Sequence, residues 1–266
     1  MMEYSLILAL VVIGAIIVLT LLGGRLIGTF NCVVRDLQHQ TCTANQIPNP
    51  SIGGGGNYVV TVQADSPVAY WRLDDTGASI ADAVGPHVGT LSGTATQGVP
   101  GALGGGTDKA IDFDGSTASV NVPISALGPT WTLEAWLKTS TLADGHIVEM
   151  APVAFQITAS GNLQASVTGV GTVTTVVASP GLADGLWHYV AVSDDGSNVN
   201  LYVDGYLRAS TTTLGSSATL TGSTIYIARA SVGGGYFTGT LDEVAVYNTA
   251  LSPSRILAHF QASGSP

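Results

Sequence analysis

Residues 187–211 read WHYVAVSDDGSNVNLYVDGYLRAST, and this stretch decides the fold. Three runs of β-branched and aromatic residues, Trp187–Ser193, Asn198–Val203 and Tyr206–Thr211, are separated by the turn pairs Asp195-Gly196 and Asp204-Gly205. Asp-Gly between apolar runs signals a tight hairpin, because both residues tolerate the positive φ that matches the twist of the flanking strands. The same texture continues outward at intervals of about ten residues. Upstream it predicts strands at Tyr58–Val62, Ala69–Leu73, Ala110–Phe113, Ser119–Val122, Thr132–Leu137, Gly145–Met150, Ala154–Thr158, Leu163–Val167 and Val173–Val177, with Gly161-Asn162 as a further turn. Downstream it predicts Thr224–Ala228 and Gly239–Tyr247. Many short strands with regular turn signals indicate an antiparallel sandwich. Ser252 before Pro253 is a helix start, so a short helix over Pro253–Gln261 closes the domain. The glycine-rich stretch Thr96–Thr107 reads as a loop and not as a phosphate cradle.

Composition narrows the function. Of 266 residues only 10% are charged, and 8 Lys plus Arg against 18 Asp plus Glu leave a net charge of −10. Such a surface cannot track a phosphate backbone, so nucleic-acid binding is excluded. Residues 1–46 carry Glu3, Arg25, Arg35 and Asp36 and sum to zero, which places the whole excess beyond them.

The N-terminal region follows a different logic. From Tyr4 to Gly24 no residue is charged and nearly all are apolar. At about 1.5 Å per residue a helix of this length spans a bilayer. Leu26, Ile27, Phe30, Val33, Val34 and Leu37 continue the helical spacing, so residues 1–44 are expected to form one long α-helix. Residues 45–57, with Ile-Pro-Asn-Pro-Ser and then Gly53–Gly56, read as a linker, and residues 58–266 as the β domain. Cys32 and Cys42 stand just past the apolar run. Their natural reading is an oxidised pair outside the cytoplasm; two free thiols are the alternative.

Two resemblances sharpen these expectations. Tyr70-Trp71-Arg72-Leu73-Asp74-Asp75, Ala110-Ile111-Asp112-Phe113-Asp114-Gly115, Thr132-Leu133-Glu134-Ala135-Trp136-Leu137, and Leu241-Asp242-Glu243-Val244-Ala245-Val246-Tyr247-Asn248 occur in the order seen in laminin-G-like domains. The region resembles that group of the concanavalin A-like lectin/glucanase superfamily. The resemblance implies a two-sheet jelly roll, often with a structural Ca2+ and a role in glycan or protein adhesion. Glu3-Tyr4-Ser5-Leu6-Ile7-Leu8-Ala9-Leu10, the apolar run, Leu22-Gly23-Gly24-Arg25-Leu26 and Thr29-Phe30-Asn31 are similar to Flp/Tad-type (type IVb-like) pilins, which assemble through their N-terminal helices. The nearest cation, Arg25, follows the apolar run, which on charge alone would put the β domain in the cytoplasm; a basic leader removed during processing reconciles this with a displayed domain.

These readings nominate residues. Glu3 at the rim of the apolar segment is costly unless paired, and a neighbouring subunit's terminal amine would pair it; a carboxylate solvated at the membrane surface is the alternative. Such a contact is heterologous and generates an open filament. Gly14, Gly23 and Gly24, with Tyr4, join Glu3 as expected assembly positions. Calcium needs six to eight oxygens. Asp82, Asp114 and Asp242 occupy motif positions where similar domains place ligands, with Asp112 and Glu243 nearby, against a reading in which these carboxylates only cap turns and strand ends.

Tyr236 and Phe237, after Gly233–Gly235, are expected on an exposed contact loop. Catalysis has no signature: Glu134 and Glu149 fall on separate strands, no Glu-x-Asp-x-x-Glu strand occurs, and the five histidines lack zinc spacing. The expectation is a non-enzymatic subunit of an extracellular pilus, held in the inner or cytoplasmic membrane before it polymerises with itself, whose lectin-like domain is displayed to bind glycans or surface proteins. A monomeric membrane-anchored adhesin is the alternative, and a tethered carbohydrate-active enzyme ranks last.

Overall fold

The computed structural model describes residues 54–104, 106–175, 181–214 and 218–264. The expected N-terminal helix, the expected Cys32/Cys42 pair and the expected assembly residues Glu3, Tyr4, Gly14, Gly23 and Gly24 lie outside the described residues. In chain order the elements are α1 (Gly54–Ala64), β1 (Ala69–Trp71), β2 (Ser79–Ile80), β3 (Gly89–Ser92), β4 (Ala95–Pro100), β5 (Lys109–Asp114), β6 (Ser119–Pro123), β7 (Trp131–Lys138) and β8 (Gly145–Met150). There follow β9 (Val153–Ile157), β10 (Leu163–Val167), β11 (Gly171–Thr174), β12 (Trp187–Asp194), β13 (Val199–Val203), β14 (Tyr206–Thr211), β15 (Thr224–Ile227), β16 (Thr238–Tyr247) and α2 (Pro253–Ala262).

The strands form two antiparallel sheets. The first runs β14-β13-β12-β7-β16-β5-β4, with β1 also paired to β16; the second runs β11-β10-β9-β8-β15-β6-β3-β2. Between them lies the main core, in which Trp71, Phe113, Trp131, Leu133, Ile147, Phe155 and Val190 are buried. A second cluster covers the other face of the first sheet: Trp136, Tyr189, Tyr202 and Tyr247 from the strands meet Tyr58 and Val62 of α1 and Ile256 of α2. The central strands of this sheet are thus buried on both faces, which explains why β7 is a near-continuous apolar run.

One charge sits inside that cover. Glu134 points from β7 toward the helices, and the residues directly opposite it, Ala191 on β12 and Ala245 on β16, are small. The vacant volume admits three donors. Tyr189 and Tyr247, diagonal to Glu134 on the same two strands, donate their hydroxyls to Oε2 and Oε1, and His259 of α2 donates from Nδ1 to Oε2 at 2.9 Å. The other ring nitrogen of His259 meets Asp65 Oδ2 at 2.8 Å, just past α1, and Arg255 of α2 pairs with the same carboxylate at 2.8 Å. One buried imidazolium therefore ties both helices to the sheet.

Three expectations are corrected. Tyr58–Val62 is helical, and α1 begins at Gly54, inside the stretch read as linker. Glycine costs about 1 kcal/mol per helical position. Burying Tyr58 and Val62, one turn apart, against Trp136 and His259 (6.3 Å between the Tyr58 ring and each) outweighs that loss. The stretch Thr96–Thr107 is not all loop, since Ala95–Pro100 forms β4. This edge strand carries a register shift between Gln97 and Val99, with Gly98 at φ +75°, and so shows no apolar alternation. The short strands β2 and β3 also lack a readable pattern.

Burial alone would lower the His259 pKa, but the two carboxylates outweigh it and hold the ring above its ordinary range. A group whose folded pKa is raised contributes stability below its unfolded pKa, about 6.5, and loses it as pH climbs through the folded value. His259→Gln is therefore expected to lower the unfolding free energy at pH 6 by about 3 kcal/mol and to flatten its decline above pH 6.5, as read by urea titration.

Candidate functional site

The second concentration of charge lies where β16 changes partner. Thr238–Leu241 pair with β5, while Val244–Val246 pair with β1. Asp242 and Glu243 occupy the junction, where the register against β7 shifts and Glu243 takes φ 52°. A bulge of this kind leaves unpaired backbone and re-aims side chains. Both carboxylates are buried.

The junction is closed from two directions. Arg72, following β1, donates from Nε to Glu243 Oε1 (3.1 Å), pairs with Asp108 Oδ1 (3.0 Å), and reaches Asp74 Oδ2 (2.8 Å). Tyr70 donates its hydroxyl to Glu243 Oε2. From the segment between β4 and β5, the Ala102 N–H donates to Asp242 Oδ2 and the Leu103 N–H to Asp108 Oδ2, each at 2.8 Å. Gly101 is required here: a Cβ would stand 2.2 Å from Asp108 Oδ2 and 2.8 Å from Asp242 Oδ2.

The balance of charge is unusual for an interior. Asp74, Asp108 and Glu243 share a single guanidinium, and Asp242 stands beside Asp108 and Glu243 with its Oδ1 buried and without a hydrogen-bond partner. Asp108, Asp242 and Glu243 each bring an oxygen within 4.8 Å of the others. Burial, and then the facing Asp108 carboxylate, push Asp242 well above the ordinary range, and burial does the same to Glu243. Carboxylate oxygens, an orphaned acceptor and surplus negative charge are a donor set that fits a hard dication.

Of the three aspartates expected to be ligands, only Asp242 joins this cluster. Asp82 accepts from the N–H groups of Tyr70, Val84 and His87 and organises the turn after β2. Asp114 accepts from the N–H groups of Ser116, Thr117 and Ala118 and from two hydroxyls, and these bonds hold its carboxyl well below its usual range. Both do what the turn-capping alternative describes. Asp108 was missed: it follows a glycine-rich segment with no periodic signal, and only the tertiary junction brings it to Asp242.

Phe237 is also corrected. It is fully buried in the main core, with its N–H donating to Ala228 at 2.9 Å, because the chain turns inward to begin β16; Tyr236 beside it is half-buried. Trp71, Trp131 and Trp136 are core residues.

Comparison with known proteins adds fold-level context. The family described as concanavalin A-like lectin/glucanases superfamily matches residues 114–257, more than half of the chain. No curated protein matches the sequence. Among solved structures, the binding domain of Paraclostridial Mosquitocidal Protein 1 aligns with a TM-score of 0.60 and 14% identity over 74% of this chain and 52% of that one. The receptor binding domain of botulinum neurotoxin C/D mosaic serotype gives 0.58 and 14% over 74% and 51%. Domain 4 of AbnA, a GH43 extracellular arabinanase from Geobacillus stearothermophilus solved with arabinotriose, gives 0.56 and 19% over 73% and 97%. The chain thus spans about half the length of the two toxin binding domains. At these identities the likeness is one of fold.

A carboxyl raised in the folded state stabilises below its unfolded pKa, about 3.9 for Asp, and loses that contribution as pH rises. With chelator present, stability is expected to fall from about pH 4 toward neutrality, because burial raises Asp108 and Glu243 as well, and Asp242→Asn should reduce that slope in urea titrations at fixed ionic strength.

Proposed function

Because the chain belongs to the concanavalin A-like lectin/glucanases superfamily, we propose that its β domain is a non-catalytic binding module, displayed outside the cell as part of a Flp/Tad-like pilus subunit. The observation that carries the non-catalytic reading is where the glutamates stand. Glu134 is sealed beneath α1 and α2 on the first sheet and satisfied by three donors, whereas Glu149 belongs to the second sheet. A retaining glycosidase needs two carboxylates about 5 Å apart in one cleft. These two cannot serve as such a pair.

The pilin part rests on the N-terminal sequence. Glu3 ahead of an uncharged run from Tyr4 to Gly24 is a segment suited to wait in a membrane and then bury its apolar surface among identical helices. Repetition along a filament would multiply weak contacts into avidity. Glycans and surface proteins are the partners proposed for the displayed domain. The arabinanase domain was solved with a trisaccharide, and a botulinum neurotoxin DC binding domain of the same fold with rat synaptotagmin II. Material sheared from producing cells is expected to contain uniform thin filaments whose subunit, by mass spectrometry, is this chain. Recovery only as single subunits in detergent extracts would replace the pilus with the membrane-anchored adhesin.

Calcium is the cation proposed for the junction of β16, held by Asp108, Asp242 and Glu243. Bound there, it would neutralise the surplus charge and fasten the segment after β4 to the first sheet. At calcium a hundredfold above its dissociation constant the gain is about 2.7 kcal/mol. In a domain of this size that raises the melting temperature by roughly 5–10 °C. Asp242→Asn should abolish the rise and Asp114→Asn should keep it; the reverse pattern in calorimetry would remove the metal from this site.

A further inference from the structure

Residues 101–104, which close the carboxylate junction, also belong to the helical cover of the first sheet. The N–H groups of Ala102 and Leu103 donate to Asp242 and Asp108, while their side chains are buried in the same cluster as Tyr58 and Val62 of α1 and Ile256 of α2. The next residue, Gly104, donates its N–H to the carbonyl oxygen of Ser263, the buried C-cap of α2, at 3.3 Å. Three consecutive residues therefore grip the acidic site with two amides and the helices with two side chains and a third amide.

A second connection passes through Glu243. Its Oε2 accepts from Tyr70, which is buried in the helix-facing cluster together with Trp136, and the Tyr58 ring of α1 packs edge-on against Trp136 with centroids 6.3 Å apart. The second sheet has no such link: the β9–β10 hairpin contributes no residue to the helix-facing cluster or to the carboxylate junction.

Coupling between two places in a protein needs an element whose position both of them bias. Residues 101–104 are such an element. If the helices lift, Ala102 and Leu103 lose the apolar surroundings that hold them and Gly104 loses its acceptor, which frees the amides that shape the donor set of Asp108 and Asp242. The lifted state must then bind a cation more weakly, and a ligand shifts an equilibrium by its difference in affinity for the two states. Building on calcium as the occupant of this junction, we propose that its binding controls the docking of α1 and α2 on the first sheet. The element through which the chain enters the β domain, α1, is held firmly when the site is filled and opens more often when it is empty.

The test is hydrogen–deuterium exchange of the full chain in detergent, read by mass spectrometry with calcium chloride or with chelator at equal ionic strength, beside calorimetric titration of calcium. Calcium is expected to slow exchange in α1 and α2 of the wild type by roughly tenfold, a usual size for coupling between sites, and to leave the β9–β10 hairpin unchanged. Asp242→Asn should lose both the binding heat and the slowing. Leu103→Ala keeps every carboxylate and shortens only the buried side chain; it should still bind calcium and lose most of the slowing, with β9–β10 exchange matching the wild type as evidence that it is folded. Binding heat without slowing in the helices, or with equal slowing in both sheets, would overturn the coupling and leave the calcium site standing. Full slowing retained in Leu103→Ala would overturn residues 101–104 as the link. A folded wild-type chain that gives no calcium heat would overturn the site and the coupling together.

Discussion

A carboxylate sealed inside a protein must be paired or it destabilises what surrounds it. Glu134 meets that constraint by recruiting two tyrosine hydroxyls and one imidazolium, and doing so determines much of the domain. Ala191 and Ala245 opposite it leave the room, Tyr189 and Tyr247 fill the diagonals, and His259 must arrive on a helix that packs flat against the sheet. His259 in turn needs Asp65, which fixes the end of α1. Residues 65, 134 and 259, spread over the length of the described domain, meet in one network, so the cover of the first sheet and the closure of the chain are a single event.

The second sheet is under no such obligation. Its inward residues feed the main core, and its outward residues are mostly polar and carry no helix from the described set. Two different chemistries on the two outer faces divide the labour: one face holds the chain together and the other is left to meet something else. The acidic junction at β16 belongs to the first role. It plugs the gap where one strand exchanges β5 for β1, a place at which neither neighbour can supply backbone partners to both Asp242 and Glu243.

How far the sequence foretold this depended on where local and tertiary signals agreed. From β5 to β16 the strands were legible because turn pairs such as Asp204-Gly205 and runs such as Thr132–Leu137 carry local information about twist and burial. Tyr58–Val62 misled because two buried residues spaced four apart in a five-residue window fit a strand as well as one helical turn; the partner that decides between them, α2, is nearly 200 residues away in sequence. Strands β2 to β4 were obscured by glycine and by edge exposure.

The carboxylate cluster was half legible. Asp242 and Glu243 stand in a recognisable motif, but Asp108 and Arg72 join them only through pairings that no local pattern encodes. Phe237 failed for a related reason, since a glycine-rich approach says that the chain turns without saying which way the next ring points.

Among the described residues, one sheet is sealed by helices and the other is open. Hydroxyl-radical footprinting of the full chain, read by mass spectrometry, tests that arrangement most directly. Trp136, Tyr189 and Tyr247 are expected to be protected as fully as the core residue Trp131, while Tyr206 and Tyr226 are labelled. Labelling of Trp136 and Tyr189 at the rate of Tyr206 would mean that α1 and α2 do not cover the first sheet.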